Sequence, residues 1–472
     1  MLIYPTDHGG FVLSGVFMDF TGIISGFCTP LMLLSCGAVL SSAMRLHRIL
    51  RPGRFFTALR DSSATGGQSP WKALTVALAG TLGVGNITGV AAAILQGGKG
   101  AVFWMWVGAL FSMAVKYGEV VLAVRYRKRT SDGKWYGGMM YVIRDGLAGR
   151  FSSAVCYTAG GIFALLCAAN ALVTGTIVQS NAAADVLYPL PEWVSGILLT
   201  GCTAAALFYG TEKVGDITLR LVPGMTAVFM GLSLWIILGN LSLIPSILRE
   251  IVRDAFSLRA LGGGVCGMGI SGFFRQIGNT GFGNALRYGI TRGIFSNEAG
   301  CGTSPTAHAS ADTKSPFHQG CLGIFEVICD TLILCTMTAL VICICDRRYG
   351  ILPGGGANLT LCAYQAFGGD WVYGIMAGMV AVFAYAAVLA QMYYGITALG
   401  YFTDNVIVRR GYCLVTLTAV FGGAVMEPDL MWGIADLLVG IMTCLTTAVL
   451  FLLRGQIRDT VPQEIRTGKK DG

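Results

Sequence analysis

Eleven apolar runs of the chain are each long enough to cross a bilayer as a helix, whose hydrocarbon core is about 30 Å thick. In lipid, backbone N–H and C=O groups must find partners within the protein, so such runs fold as helices. Only 12% of the residues are charged, about half the fraction of a soluble domain. We therefore predict an all-α, polytopic membrane protein. The runs cover residues 23–44, 73–95, 101–124, 153–180, 193–210, 217–239, 262–290, 320–345, 371–400, 411–426 and 430–453.

The second run is interrupted at its centre by Gly80-Thr81-Leu82-Gly83-Val84-Gly85-Asn86. Glycine costs about 1 kcal/mol in a helix interior, and backbone groups freed in lipid cost more. Secondary transporters break helices at such places, where N–H groups bind an anionic substrate and loosened carbonyls hold a cation. The segment therefore predicts a site for a cation and a carboxylate-bearing solute.

Two other interpretations of this segment exist. Gly85 and Gly89 form a Gly-x-x-x-Gly pair, which in membranes marks close helix packing, and this alternative stays open. A nucleotide-binding loop is disfavoured, because Gly83-x-Gly85 lacks a third glycine in register and follows no short strand.

Without the first run, the remaining runs form two groups of five. An odd number of spans gives the two halves opposite orientations, which predicts an inverted repeat. Each half opens with a glycine-interrupted segment, at 80–89 and at 262–269. We expect an N-terminal segment at 1–22, one transmembrane domain at 23–455 and a tail at 456–472. Within that domain we expect helix 1 at 23–44, a first repeat at 71–240 and a second repeat at 260–453.

Basic residues predict the orientation of the chain. They cluster between the first and second runs and after the third, as in cytoplasmic loops, which places the N-terminus outside and the C-terminal tail in the cytoplasm of a plasma (inner) membrane. The net charge of +8 then matches an anionic inner leaflet, and no nucleic-acid partner is implied. No basic region precedes the first run, so we expect no cleaved signal peptide.

Several polar side chains fall inside apolar runs. Asp330 lies well inside the eighth run, where a carboxylate costs about 2.5 to 3.5 kcal/mol; a cation, the substrate's ammonium group or a hydrogen bond to another helix would stabilise it. Asn170 and Gln179 place two amides on the fourth run, and Asn170 is a candidate substrate contact or an interhelical bond. Lys116 and Glu119 are spaced to pair on one helical face as an anchor.

The histidines and cysteines predict no catalysis. His308 and His318 fall in what we expect to be a polar cytoplasmic loop without a nucleophile. The fifteen cysteines lack metal-ligand spacing and are expected to pack, although Cys343, Cys345 and Cys362 could supply one disulfide.

Four motifs are more specific: Gly80-Thr81-Leu82-Gly83-Val84-Gly85-Asn86-Ile87 with Gly89-Val90, Gly100-Ala101-Val102-Phe103-Trp104-Met105-Trp106, Gly137-Gly138-Met139-Met140-Tyr141 and Arg292-Gly293-Ile294-Phe295-Ser296-Asn297-Glu298-Ala299-Gly300. From about residue 20 to 455 the chain resembles the alanine or glycine:cation symporter family. The resemblance implies a secondary transporter that carries a small neutral amino acid, typically alanine or glycine, with sodium by alternating access. It implies no enzyme activity, no cofactor apart from sodium as coupling ion, and no protein partner.

The resemblance and the physical argument agree on the glycine-interrupted segment, where N–H groups would face the substrate carboxylate and carbonyls a sodium ion. The expected substrate contacts are Thr81, Gly83, Val84, Gly85, Asn86 and Asn170. The expected sodium ligands are Ala79, Thr81, Leu82, Asn86 and Asp330. Asn297 and Glu298 are expected to be gate or loop-fixing residues.

The ninth run departs from the family. Relatives usually have a Ser/Thr pair there, which resembles a sodium ligand pair, and an acidic residue after Tyr-Tyr-Gly. This chain has Ala386 and Ala387, and Ile396 follows Tyr393-Tyr394-Gly395. One sodium site is therefore in doubt, and a sodium-independent or proton-coupled transporter stays an alternative. So does a non-transporting amino-acid sensor. A channel is disfavoured, because the runs carry few polar stripes to line a pore.

Restoring hydroxyls in the double variant Ala386→Ser/Ala387→Ser is expected to strengthen sodium dependence. Each lost interaction with a charge costs about 1.5 to 3 kcal/mol, so two amount to roughly 10² to 10⁴ in cation affinity. The measurement is the sodium concentration for half-maximal amino-acid uptake, with Ala381→Ser on the same helix as control. An unchanged sodium requirement would contradict the assignment.

Overall fold

The computed structural model describes residues 21–61, 68–130, 133–187, 189–208, 214–257, 281–350 and 356–467. Within these ranges nearly all regular structure is helical, beside an antiparallel ribbon of β1 (Lys128–Arg129) and β2 (Trp135–Tyr136). Eight of the described helices are long and apolar enough to cross a membrane, and a bent pair of shorter helices makes a ninth span. The predicted all-α, polytopic class is confirmed.

The helices are numbered in chain order. The first are α1 (Thr21–Met44), α2 (Leu46–Ile49), α3 (Pro52–Arg60), α4 (Pro70–Thr81), α5 (Thr88–Gly97), α6 (Gly100–Arg125), α7 (Met139–Tyr141), α8 (Ser153–Val186), α9 (Glu192–Phe208), α10 (Val214–Leu238) and α11 (Ile244–Ala255). The others are α12 (Gly281–Asn297), α13 (Pro305–Ala309), α14 (Pro316–Tyr349), α15 (Gly356–Gly368), α16 (Asp370–Leu399), α17 (Val406–Val425), α18 (Pro428–Leu452), α19 (Arg454–Thr460) and α20 (Gln463–Thr467).

The interruption expected in the second run is present. The α4 helix ends at Thr81, a 3₁₀ turn covers Val84–Asn86, and α5 leaves at 56° to α4. The corresponding segment of the second half, 262–269, lies outside the described residues, as do most of the seventh run, most of the segment at 1–22 and the end of the tail. The count of eleven spans, the inverted repeat, the domain boundaries and the orientation therefore stay predictions.

Three long helices contain wide π-helical turns that the periodicity of the sequence does not announce. These turns cover Ile24–Cys28 in α1, Val173–Ile177 in α8 and Ile328–Cys335 in α14. A π turn leaves local backbone pairing irregular and commonly occurs at functional sites. The turn in α14 carries Asp330.

Glycine lets the helices approach closely around α6, the most deeply buried of the long described helices. A Cβ added at Gly320 of α14 would lie 2.6 Å from Val121 and 2.7 Å from the Tyr117 ring, and one at Gly37 of α1 would lie 2.6 Å from Phe111. The hydrophobic effect does not drive helices together in lipid. Small residues at these contacts stabilise the packing because they let the helix backbones approach closely.

The described cysteines are buried or half-buried, as expected for packing residues, except for the exposed Cys202. Cys343 and Cys345 are buried, Cys362 is half-buried, and all three are free thiols. The disulfide considered for this end of α14 is not formed in the structure.

A bidentate ion pair joins α12 to α18. Arg292 Nη1 and Nη2 donate to Asp436 Oδ1 and Oδ2 at 2.8 and 3.0 Å, and the guanidinium also lies 4.8 Å from the centre of the Trp432 ring. The Arg292 side chain is 6% exposed. Because the Arg292 guanidinium is largely shielded from water, removal of Asp436 leaves its charge without compensation.

Asp436→Asn is therefore expected to lower the free energy of unfolding by about 3 kcal/mol. The measurement is a thermal melt of the purified protein in detergent. Asp404→Asn is the matched control, because that side chain pairs with Arg409 but is 83% exposed and such pairs contribute little. Equal melting temperatures for the two variants would contradict the role given to Arg292.

Candidate functional site

A side-chain amide of α8 accepts a hydrogen bond from the backbone at the break between α4 and α5. The Val84 N–H donates to Gln179 Oε1 at 2.9 Å. A Cβ added at Gly83 would lie 2.5 Å from the same oxygen, so glycine is needed for this approach. We expected the N–H groups of Gly83 to Asn86 to face a substrate carboxylate. In this conformation Gln179 supplies the acceptor at Val84, and the Gly83 N–H bonds to the Thr81 carbonyl at 2.8 Å. A carboxylate would have to displace the amide at Val84.

Two of the expected sodium ligands meet directly. Asn86 Nδ2 donates to Asp330 Oδ1 at 2.7 Å and to the Asp330 carbonyl at 3.1 Å. Ser296 and Thr331 donate their hydroxyls to Asp330 Oδ2 at 2.8 and 2.7 Å. The fully buried carboxylate thus accepts from α12, from its own helix and from the 3₁₀ turn at the break. With donors on both oxygens, the ionised form is the one that this arrangement stabilises.

One oxygen in this group has no partner. Asn86 Oδ1 is buried without a hydrogen bond among the described residues, and so is the neighbouring Thr88 hydroxyl. Leaving a buried acceptor unpaired costs about 1 to 3 kcal/mol. Carboxylate and amide oxygens are the hard ligands that cations such as sodium prefer. The Asn86 oxygen and the Asp330 carboxylate are therefore oxygens of the kind that a small cation binds, but in this conformation the Asn86 atom that faces Asp330 is the amide nitrogen; the cation site stays a prediction.

Two carbonyls beside the break accept hydrogen bonds from threonines. Thr338 donates to the Asn86 carbonyl at 2.8 Å, and Thr360 donates to the Ile87 carbonyl at 3.1 Å. The Ile87 carbonyl also accepts the Ala91 N–H of α5 at 3.2 Å, so it is Thr338 of α14 that satisfies backbone which no helix pairs, as lipid requires. Both carbonyls thus have donors, whereas the Asn86 side-chain oxygen has none among the described residues.

The other expected sodium ligands make no described hydrogen bond with Asp330. The described hydrogen bonds of Asp330 reach Asn86 but not Ala79, Thr81 or Leu82. Gly80, between these residues, packs against Tyr394 of α16, where an added Cβ would lie 2.8 Å from the hydroxyl oxygen. Ala387 stands two helical turns before Tyr394 on the same face. The role of these three carbonyls stays a prediction.

Asn170 makes a local bond within α8. Its Oδ1 accepts from Thr174 at 2.9 Å, and no described hydrogen bond joins it to the break. Of the two amides on α8, Gln179 is the one that reaches the glycine segment. The wide turn at Val173–Ile177 lies between them and shifts the helical register, which spacing in the sequence did not reveal.

Asn297 and Glu298 end α12 and hold the loop that follows. Asn297 Nδ2 donates to Thr331 at 3.0 Å, and its Oδ1 accepts the Ala299 N–H at 2.9 Å. Glu298 takes a left-handed φ of 51° and accepts from Thr303 at 2.6 Å and from Gln391. These contacts support the loop-fixing role. Ser296, which bonds to Asp330, was not among the expected site residues.

The segment beyond this loop corrects one expectation. We expected His308 in a polar, solvated loop, but it is fully buried and contacts Glu326 at 2.9 Å and Gln319 at 2.8 Å. Ser304 and His308 are buried with partners that come from other helices, which their local composition does not show. Lys116 likewise bonds to Ser304 and Glu326 instead of pairing with Glu119.

The chain is similar to one known protein family over nearly its whole length. A model described as the sodium:alanine symporter family matches residues 11–470. The sodium/alanine symporter AgcS of Methanococcus maripaludis is 34% identical over 407 residues, 85% of this chain and 85% of that protein. The probable sodium/glutamine symporter GlnT of Bacillus subtilis is 30% identical over 429 residues, 89% of this chain and 84% of that protein. The amino-acid carrier protein AlsT of Bacillus subtilis is 32% identical over 392 residues, 82% and 78%.

Asp330→Asn is expected to weaken cation binding about 10- to 100-fold, because the variant loses a charged ligand worth about 1.5 to 3 kcal/mol but keeps the side-chain volume. The measurement is the sodium concentration that supports half-maximal binding of labelled alanine to the purified protein. Asp346→Asn, at the surface-facing end of the same helix and paired with Lys99, is the matched control. An equal sodium requirement for both variants would remove Asp330 from the cation site.

Proposed function

Because the chain belongs to the sodium:alanine symporter family, we propose that it carries a small neutral amino acid across the plasma membrane together with sodium. The family is one of transporters, so the chain is a multi-pass membrane transporter and not an enzyme. Amino-acid and cation symport is the activity named for its relatives. The choice of sodium and of alanine or glycine as substrate is our proposal for this chain.

The contact between Asn86 and Asp330 carries the proposal. A carboxylate is costly inside a membrane, and Asp330 has hydrogen-bond donors but no positively charged partner among its described contacts. The unpaired Asn86 oxygen beside it would complete a cation site. Binding of sodium there would neutralise Asp330 and stabilise the break in its bent form.

The substrate would bind at the other end of the same break. Its carboxylate would take the N–H groups of Val84, Gly85 and Asn86 in exchange for the Gln179 amide. The cation beside Asn86 would attract that carboxylate and would explain why the two solutes travel together. Val84 and Gly83 are buried, so a substrate that binds beside them would have to carry a small side chain. Alanine and glycine are therefore our default, whereas a relative is described as a glutamine symporter.

The stoichiometry that we propose is one sodium ion at Asn86 and Asp330. Ala386 and Ala387 are completely buried and offer only methyl groups where relatives have hydroxyls, so a second sodium site would lack two oxygens. This observation also favours the alternative of a transporter that works without sodium at that position. We propose the N-terminus outside and the C-terminal tail in the cytoplasm.

Proteoliposomes that contain the purified protein are expected to accumulate labelled alanine and glycine when an inward sodium gradient is imposed. Accumulation should fall to the level of empty liposomes with choline in place of sodium, because the cation site is then unfilled. Asp330→Asn should lose accumulation, and Asp404→Asn, on the exposed surface, should retain it.

Three outcomes separate the alternatives. Uptake that is equal in sodium and choline would contradict sodium coupling. Binding of alanine without uptake under either gradient would indicate a sensor. Conductance without substrate in planar bilayers would indicate a channel.

A further inference from the structure

The α11 helix lies where several membrane spans begin or end. It follows α10, which ends at Leu238, after a 3₁₀ turn at Leu241–Leu243. It packs against the start of α6 and against the last turns of α14. Because the ends of spans lie at the surface of the hydrocarbon core, α11 lies beside the lipid headgroups.

Two neighbouring faces of α11 are apolar, but only one of them packs against the protein. Ile247 and Ile251, one turn apart, are completely buried. Leu248 and Val252, each one residue further along, are 38% and 45% exposed. Because residues four apart share one face of a helix, the exposed pair forms an apolar stripe beside the buried one. Such a stripe at a membrane surface contacts acyl chains at the headgroup boundary.

The next face of α11 is basic. Arg249 and Arg253 are one turn apart and exposed, and neither has a hydrogen bond or an ion pair with another residue of the described chain. Glu250, which lies between them in sequence, does not neutralise them, because it accepts from Lys99 Nζ at 2.9 Å. The two arginines, which we name the basic stripe, therefore keep their charge for a partner outside the described chain.

Bonds to α6 and α14 fix the rotation of α11. Lys99, which directly precedes α6, lies 2.9 Å from Glu250 and 2.8 Å from Asp346 of α14. Asp254 accepts the Gly100 N–H at 2.8 Å. The acidic face of α11 is thus turned toward the protein, and the basic stripe is turned away from it.

Aromatic side chains mark the depth of α11 in the membrane. The Phe256 ring, at the end of α11, lies 5.2 Å from the Phe103 ring and 5.8 Å from the Trp104 ring. The Trp104 indole donates to the Ala255 carbonyl at 3.1 Å. Tryptophan is enriched at the boundary between hydrocarbon and headgroups. The aromatic group therefore places the basic stripe at the depth of the lipid phosphates.

We propose that α11 binds an anionic phospholipid, whose phosphate lies between Arg249 and Arg253 and whose acyl chains cover Leu248 and Val252. A guanidinium matches phosphate oxygens with two parallel hydrogen bonds. An anionic headgroup is preferred to a zwitterionic one, because a choline group carries its own positive charge toward the arginines.

The positive-inside rule does not account for the basic stripe. With the N-terminus outside, α11 lies on the side that faces away from the cytoplasm, whereas excess Lys and Arg belong to cytoplasmic loops. A lipid phosphate supplies a reason for two exposed arginines on that side. This inference depends on the membrane-spanning class of the chain and not on its substrate, so it can fail without affecting the proposed function.

The test uses the purified full chain in phosphatidylcholine nanodiscs that contain a small fraction of photoactivatable phosphatidylglycerol or, in parallel, photoactivatable phosphatidylcholine. Labelled peptides are identified by mass spectrometry. In the wild type, labelling of α11 by phosphatidylglycerol should exceed labelling by phosphatidylcholine about 30-fold, because each basic residue near the surface contributes about a fivefold preference. The ratio should fall to about one in Arg249→Gln/Arg253→Gln and be largely retained in Arg249→Lys/Arg253→Lys.

The matched control is Arg409→Gln/Arg410→Gln, which removes two exposed arginines of α17 at the other end of the spans. It should keep the wild-type ratio at α11. All four side chains are exposed, so both glutamine variants should melt at the wild-type temperature.

Each result decides the proposal. Equal labelling of α11 by the two lipids in the wild type, or an unchanged ratio in Arg249→Gln/Arg253→Gln, would overturn the lipid site. Equal losses in the α11 variant and the α17 control would indicate a general effect of net charge and would overturn the assignment to α11. Excess glycerol phosphate that protects α11 as well as unlabelled phosphatidylglycerol does would assign the arginines to a soluble anion and overturn the role of the acyl chains.

Discussion

The burial of Asp330 is the constraint on which the architecture around the break depends. A carboxylate among helices that face lipid needs donors and a positive charge, and no single helix supplies them. Asn86 can donate because α4 and α5 separate at the glycine segment, and Ser296 and Thr331 donate from α12 and from the wide turn of α14. Loss of any one element would leave the charge partly unpaired. The bent span, the end of α12 and the π turn therefore form one unit.

This unit extends along the chain to Glu298. Residues 296–298 contact Asp330, Thr331 and Gln391 in succession, so the end of α12 connects the buried Asp330 carboxylate, the wide turn of α14 and the ninth apolar run. Gln391 stands one turn after Ala387 on α16. Ala386 and Ala387, where the resemblance to the family leads us to expect hydroxyls, are thus next to a buried amide that contacts Glu298.

Much of the site follows from the sequence because its chemistry is local. A glycine-rich interruption of an apolar run predicts the break, and Asp330 is conspicuous as a carboxylate within such a run. The partners Gln179, Ser296 and Thr331 do not follow, because their bonds join residues of different helices and no spacing rule connects them. His308 was misplaced for the same reason, since a polar segment looks solvated until Glu326 and Gln319 are seen around it. The shift of helical register between Asn170 and Gln179 comes from the π turn of α8. Such a turn cannot be recognised from the periodicity of the sequence.

The central claim is that Asn86 and Asp330 bind a cation. When this cation leaves, the bent form of the break between α4 and α5 loses its stabilisation. The most direct measurement is an experimental structure with sodium and alanine, compared with one in which thallium, a heavier monovalent cation, replaces sodium. The account predicts strong density for the heavy ion between Asn86 Oδ1 and the Asp330 carboxylate. Density for the ion elsewhere, with the Asn86 oxygen turned to a protein donor, would contradict it.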